Sequence, residues 1–126
     1  MIKEIPNGKR RSRFMQIKHP SLENYNLNLE GLVGPENGVF CRGRITNQNE
    51  INLPKYWEDL VEETSISVHL TPVGAHQNII VKRIGENKVH LQAHGGMPID
   101  SYYLAMGERK DIPDLKAEEK IDDPSN

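Results

Sequence analysis

Five histidines, one cysteine, scattered carboxylates and a short basic run are the residues of this 126-residue chain that could do chemistry. His90 and His94 stand four apart. On a helix they would meet and could share a zinc ion; along a strand, at roughly 3.3 Å per residue, about 13 Å would separate them. His69 and His76 are divided by Pro72-Val73-Gly74, and no second cysteine joins Cys41. An intrachain metal centre has no ligand set, and no cofactor is expected; a trimer axis would be needed to gather three copies of one histidine. Ser21, Ser65, Ser67 and Ser101 sit in no Gly-x-Ser-x-Gly turn. Cys41 lies between Phe40 and Arg42, and a strand would turn Arg42 and Arg44 to the opposite face, leaving a small buried thiol rather than a nucleophile. Glu58, Asp59, Glu62 and Glu63 beside Trp57 read as a solvated helix end rather than an acid–base pair. The glycines at 31, 34, 95 and 96 precede no Lys-Ser/Thr and cradle no phosphate. The expectation is a protein that is not an enzyme.

The basic run remains. Lys9, Arg10, Arg11 and Arg13 fall within five residues, with Phe14 as the sole adjoining aromatic. That is too little for nucleic acid, which would ask for a longer basic surface with interleaved stacking groups. A docking contact to an acidic protein partner fits better. The formal charge of −2 conceals this asymmetry: residues 1–20 carry six bases and one acid, and residues 108–126 carry four bases and seven acids.

The elements that must position these residues are mostly strands. Met15 and Ile17 alternate with Phe14, Gln16 and Lys18, which predicts a short strand ended by His19-Pro20. Residues 21–38, rich in Asn and Gly, read as an ordered loop that packs its leucines. From Gly38 the period is two, with Val39, Cys41, Gly43 and Ile45 on one side and Phe40, Arg42 and Arg44 on the other. A polar turn at 46–49 leads to a short strand at 51–53. Pro54 opens the one helical piece, in which Tyr56, Trp57, Leu60 and Val61 form an apolar stripe. Residues 66–107 read as a β-meander. Within it Ile79, Ile80 and Val81 are apolar on both faces, as in a central or interface strand, and Gly85-Glu86-Asn87 makes a hairpin turn. The fold class expected is mainly β: a compact antiparallel β-sandwich or barrel-like meander with one short helix. A basic N-terminal arm (1–13) precedes the domain (14–112), and a loose acidic tail (113–126) follows it.

Hydrophobic residues make up 36% of the chain, a lean supply for one core of this size, so the expectation is a module that finishes its burial against a partner. No N-terminal stretch resembles a signal peptide, and no apolar run approaches the length of a membrane span.

Six phrases in order carry a further signal: FMQIKHP (14–20), LVGPENGVFCRGR (32–44), EINLPKYWEDLV (50–61), SISVHLTPVGAHQ (65–77), IGENKV (84–89) and YLAMGERKD (103–111). Together they resemble a β-rich module of tailed-phage virion structural proteins, found at the C-terminal end of tail fibres and related appendages of contractile-tailed phages, marine cyanophage types among them. The resemblance implies a non-enzymatic virion component, assembled in the host cytoplasm and most simply a homotrimer wound about a fibre axis. It also implies that the segment from Leu53 to Trp57 packs between sheets. Relatives carry this module behind a long shaft, whereas here Met1 stands almost at its start, which leads one to expect a cap, decoration or connector on larger tail, neck or capsid proteins. On this reading Ile79, Ile80, Val81 and Tyr103 are candidates for the oligomer interface. Trp57 and Tyr102 are candidates for contact with a host surface receptor or carbohydrate, the alternative reading being a receptor-binding tip.

Overall fold

Alternation of apolar and polar residues over 38–46 gives a long strand whose odd-numbered positions turn inward: Val39 and Ile45 are buried, while Phe40, Arg42 and Arg44 are exposed. In the computed structural model, which describes residues 2–4, 13–29, 35–112 and 116–121, this strand is the fourth of nine. The strands are β1 (Ile2–Glu4), β2 (Arg13–Lys18), β3 (Asn26–Leu29), β4 (Gly38–Thr46), β5 (Glu50–Asn52), β6 (Ser67–Pro72), β7 (Ile79–Gly85), β8 (Lys88–Ala93) and β9 (Asp100–Glu108), with one α-helical turn, α1 (Trp57–Leu60), between β5 and β6. They form three antiparallel sheets of three strands, ordered β1-β2-β3, β4-β9-β6 and β5-β8-β7. The chain is mainly β as expected, but among the described residues no sheet closes on itself, so they form no closed barrel.

The meander expected over residues 66–107 does not form. Among β6 to β9, β7 and β8 alone are paired as neighbours in sequence, while β6 and β9 pair with each other outside them. Chain order alternates between the two sheets because two segments bend together. β4 pairs with β9 from Gly38↔Glu108 to Thr46↔Asp100. The ladder then continues through Asn47 N–H to Ile99 O (2.7 Å) and Leu91 N–H to Asn49 O (2.8 Å) into the β5–β8 pairing. Residues 47–49 and 94–98 make the corner, with Asn47, Gly95 and Gly96 at positive φ. Gln77 clamps it, its Nε2 donating to Pro98 O (2.6 Å) and its Oε1 accepting from Asp100 N–H (3.1 Å). Strands that switch sheets at a bend are how orthogonal β packings turn corners.

One core draws on the β4-β9-β6 sheet, the β5-β8-β7 sheet and α1. Ile45, Ile51, Leu53, Trp57, Leu60, Val61, Val89, Leu91, Ile99 and Ala105 are all buried there. Trp57 is 1% exposed and packs against the backbone of β9: a β-carbon on Gly107 would collide with Val61 and would stand in contact with Ile66 and Trp57. The helical turn that carries Trp57 is positioned by the adjoining hairpin of the same sheet, where Leu53 N–H donates to Asn87 O (3.1 Å). Glu86 and Asn87 both hold positive φ in a two-residue turn of the I′ kind between β7 and β8. Asn87 Nδ2 then donates to Leu53 O (3.2 Å) and Pro54 O (3.0 Å), fixing the approach to α1. At the far end, Val61 bridges to Arg109, Glu62 N–H donates to Glu108 O, and Lys110 N–H donates to Leu60 O. Arg109 is buried; its Nε and Nη2 donate to Asp111 Oδ1 (2.9 Å) and Oδ2 (2.6 Å) and hold that carboxyl below the usual range.

Two expectations near the N-terminus are corrected. The proposed arm contains a strand, since Ile2–Glu4 pairs with β2 from Ile2↔Met15 to Glu4↔Arg13, while Lys9, Arg10 and Arg11 lie outside the described residues. The Asn-rich stretch read as loop contains β3, whose Leu27 and Leu29, with Ile17 of β2, pack against the core. His19 ties this sheet down. Its Nδ1 accepts from Ser21 N–H (3.1 Å) and Leu22 N–H (2.9 Å), and its ring meets Tyr25 and Tyr56 edge-on. Residues 116–121 are exposed and have no regular structure.

Asn87→Gly keeps the left-handed backbone free of strain but removes both amide hydrogen bonds, so it is expected to lower unfolding stability by about 1–2 kcal/mol. Chemical denaturation checks this; an unchanged midpoint would show that Asn87 does not position the helical turn.

Candidate functional site

The outer face of the β4-β9-β6 sheet sets aromatic and charged groups side by side. Its register places Phe40 opposite Met106, Arg42 opposite Leu104, Arg44 opposite Tyr102, and Thr46 opposite Asp100. Arg44 Nε and Nη2 each donate to an oxygen of Asp100 at 2.9 Å, a bidentate pair. The same guanidinium stands 5.7 Å from the centre of the Tyr102 ring. Tyr102 is 53% exposed, so the pair fixes an aromatic platform whose other surface faces solvent. Hydrogen bonding to Asp100 raises the pKa of Arg44, and hydrogen bonding from Arg44 lowers that of Asp100. Such a platform can stack a sugar ring or an apolar side chain and orient it with polar contacts at the edge.

The second exposed feature is β7. The sequence suggested a central or interface strand; β7 is not central but an edge: β8 pairs with one side and the other side has no strand partner among the described residues. Apolar residues on both faces do not distinguish a buried strand from an edge strand that presents one face to something else. Ile79 and Val81 turn inward and pack on the core, whereas Ile80 is 58% exposed. A bulge between Val81 and Arg83 breaks the register and leaves Lys82 and Arg83 exposed.

The remaining candidates divide by burial. Tyr103 points into the core, where Gly43 opposite leaves space for its ring, and burial, with a smaller contribution from Cys41, pushes its hydroxyl up. Trp57 is enclosed and offers no face to a receptor, which corrects its candidacy; its place on the helical stripe already signalled burial. Of the basic run, Arg13 begins β2 and Lys9, Arg10 and Arg11 fall outside the described residues. Cys41 is half-buried, and burial raises its thiol pKa. His69 is exposed on β6, whereas His90 is largely covered, with Nδ1 3.5 Å from Glu50 Oε1. Among the described residues no three metal-ligating side chains converge, and no helix is long and apolar enough to cross a membrane.

The partnership of Arg44 with Asp100 escaped sequence reading because 56 positions separate them and only the β4–β9 register joins them. Neither a family model, nor a curated protein, nor a solved structure matches this chain.

Because the folded pKa of Asp100 lies below its unfolded value, the pair's contribution is complete above the ordinary aspartate range and is lost as pH falls through the lowered folded pKa. An NMR titration of the Asp100 carboxyl carbon is expected to show a midpoint below that of a free aspartate, returning towards it in Arg44→Gln. Identical midpoints in the two proteins would remove Arg44 as the cause.

Proposed function

We propose that this chain is a non-enzymatic structural component of a tailed-phage virion. It acts as a homotrimeric fibre, connector or decoration module that docks onto larger tail, neck or capsid proteins. The six ordered phrases support the family reading, and the observation that carries the oligomer is the unpaired β7 edge with Ile80 exposed on it. An edge strand that offers an apolar side chain is a template for association unless something covers it. In this reading the β4-β9-β6 and β5-β8-β7 sheets are the two layers of a β-sandwich, with Trp57 and Leu60 between them. Copies of the chain close the β7 edges, and Lys9, Arg10, Arg11 and Arg13 provide the contact to an acidic neighbour in the particle.

A receptor- or carbohydrate-binding tip is the second reading, and Tyr102 favours it. The ring is exposed and flanked by the bidentate Arg44–Asp100 pair. Oligosaccharide binding that Tyr102→Ala abolishes without unfolding the protein would support this role.

Light scattering on the purified chain is expected to give a mass three times that of one chain, and Ile80→Lys is expected to reduce it. A monomer that persists at high micromolar concentration would contradict the proposal.

A further inference from the structure

A cleft of about 650 Å³ opens on the outside of the β5-β8-β7 sheet, between β7, β8 and the corner loop at 94–97. Its lining includes Ile80, Lys82, Arg83, His90, His94 and Met97. None of the described residues lining it is acidic. The nearby carboxylate of Glu50 stands 3.5 Å from both His90 Nδ1 and Lys88 Nζ, and neither Lys82 nor Arg83 has an ion-pair partner among the described residues. Ile80 and Met97, 58% and 56% exposed, add two apolar surfaces to this basic setting. The cleft therefore suits an extended acidic segment that carries one apolar side chain.

The C-terminal sequence of this chain has that pattern. Glu118 and Glu119 precede Lys120 and Ile121, and Asp122 and Asp123 follow. Ile121 is 90% exposed, so it is not seated on its own subunit. Beyond Ile112, whose carbonyl accepts from Asn37 Nδ2 (3.3 Å), Glu118 and Glu119 of the same chain are exposed and form no part of the cleft's lining.

We infer that the acidic C-terminal segment of a second copy docks in this cleft, with its Ile121 between Ile80 and Met97 and its carboxylates on Lys82 and Arg83. The inference rests on the oligomer reading above and names the contact that joins the copies. A segment that crosses to a neighbour would cover the exposed face of β7 and tie subunits head to tail, an arrangement that closes into a ring where the rotation between copies closes.

Charge reversal in the full-length chain tests it. Sedimentation of the wild type, of Lys82→Glu with Arg83→Glu, of Glu118→Lys with Glu119→Lys, and of the four changes combined compares the association midpoints. Each double variant is expected to weaken association about tenfold or more, and the combined variant to restore it, because the opposed charges are exchanged rather than lost. The wild-type association is also expected to weaken as salt rises from about 50 to about 500 mM. If the wild type associates but neither double variant weakens it, or the combined variant does not recover, the docking is overturned while the oligomer stands. If the wild type is a monomer throughout, both are overturned. An intrachain cross-link between Lys82 and Glu118 that does not depend on concentration would place the tail on its own subunit and overturn the inference as well.

Discussion

Two segments of chain, residues 38–52 and 88–108, are hydrogen-bonded side by side around one corner, and the rest of the structure depends on that shared bend. It makes β9 the central strand of one sheet and β8 the central strand of the other. The most completely buried strand residues follow from this: Val89 on β8, with Ser101 and Ala105 on β9, are 0% exposed. Because β8 and β9 are separated only by the corner loop, the two sheets are joined by the ladder itself as well as by side-chain packing. The helical turn with Trp57 packs in the same core and is held at its two ends by Asn87 and by residues 108–110.

The same arrangement accounts for what stays exposed. With the centres of both sheets assigned to β8 and β9, the strands β4, β6, β5 and β7 are edges, and a chain of this length with few apolar residues has little left to cover them. Pro72 ends β6, a position where a missing N–H does least harm to a ladder. β7 carries no proline; the bulge and the exposed Lys82 and Arg83 blunt one end of its edge, while Ile80 towards the other end faces outward. The proposed interface on β7 and the proposed docking of an acidic segment on its basic residues both answer one shortage of core.

Much of the fold was legible because alternation reports which face of a strand is buried. The inward set of β4, the two-residue turn at Glu86 and Asn87, and the burial of Trp57 on a helical stripe all follow from local pattern. Partner choice was not legible. Strands that alternate in the same way can pair with the next strand or with one thirty residues away, so the meander expected over 66–107 gave way to β6–β9 and β7–β8 pairing. Ile79-Ile80-Val81 read as central or interface without a choice between them, because apolar residues on both faces look the same whether the outer face meets the same chain or another. The Asn-rich stretch hid β3 because Asn26 and Asn28 occupy its solvent face, where strand propensity counts for less than position. For the candidate surface, the exposed aromatic was identifiable as a residue but its charged neighbours were not, since the register alone brings Arg44 and Asp100 to Tyr102.

The central claim is that copies of this chain cover the β7 edge and its cleft. Hydrogen exchange measured across a range of protein concentrations tests it most directly. The account predicts that residues 78–85 exchange slowly when the chain is concentrated and quickly on dilution, while residues 88–92 and 100–107, paired within one subunit, stay unchanged. Exchange at 78–85 that does not depend on concentration would contradict it.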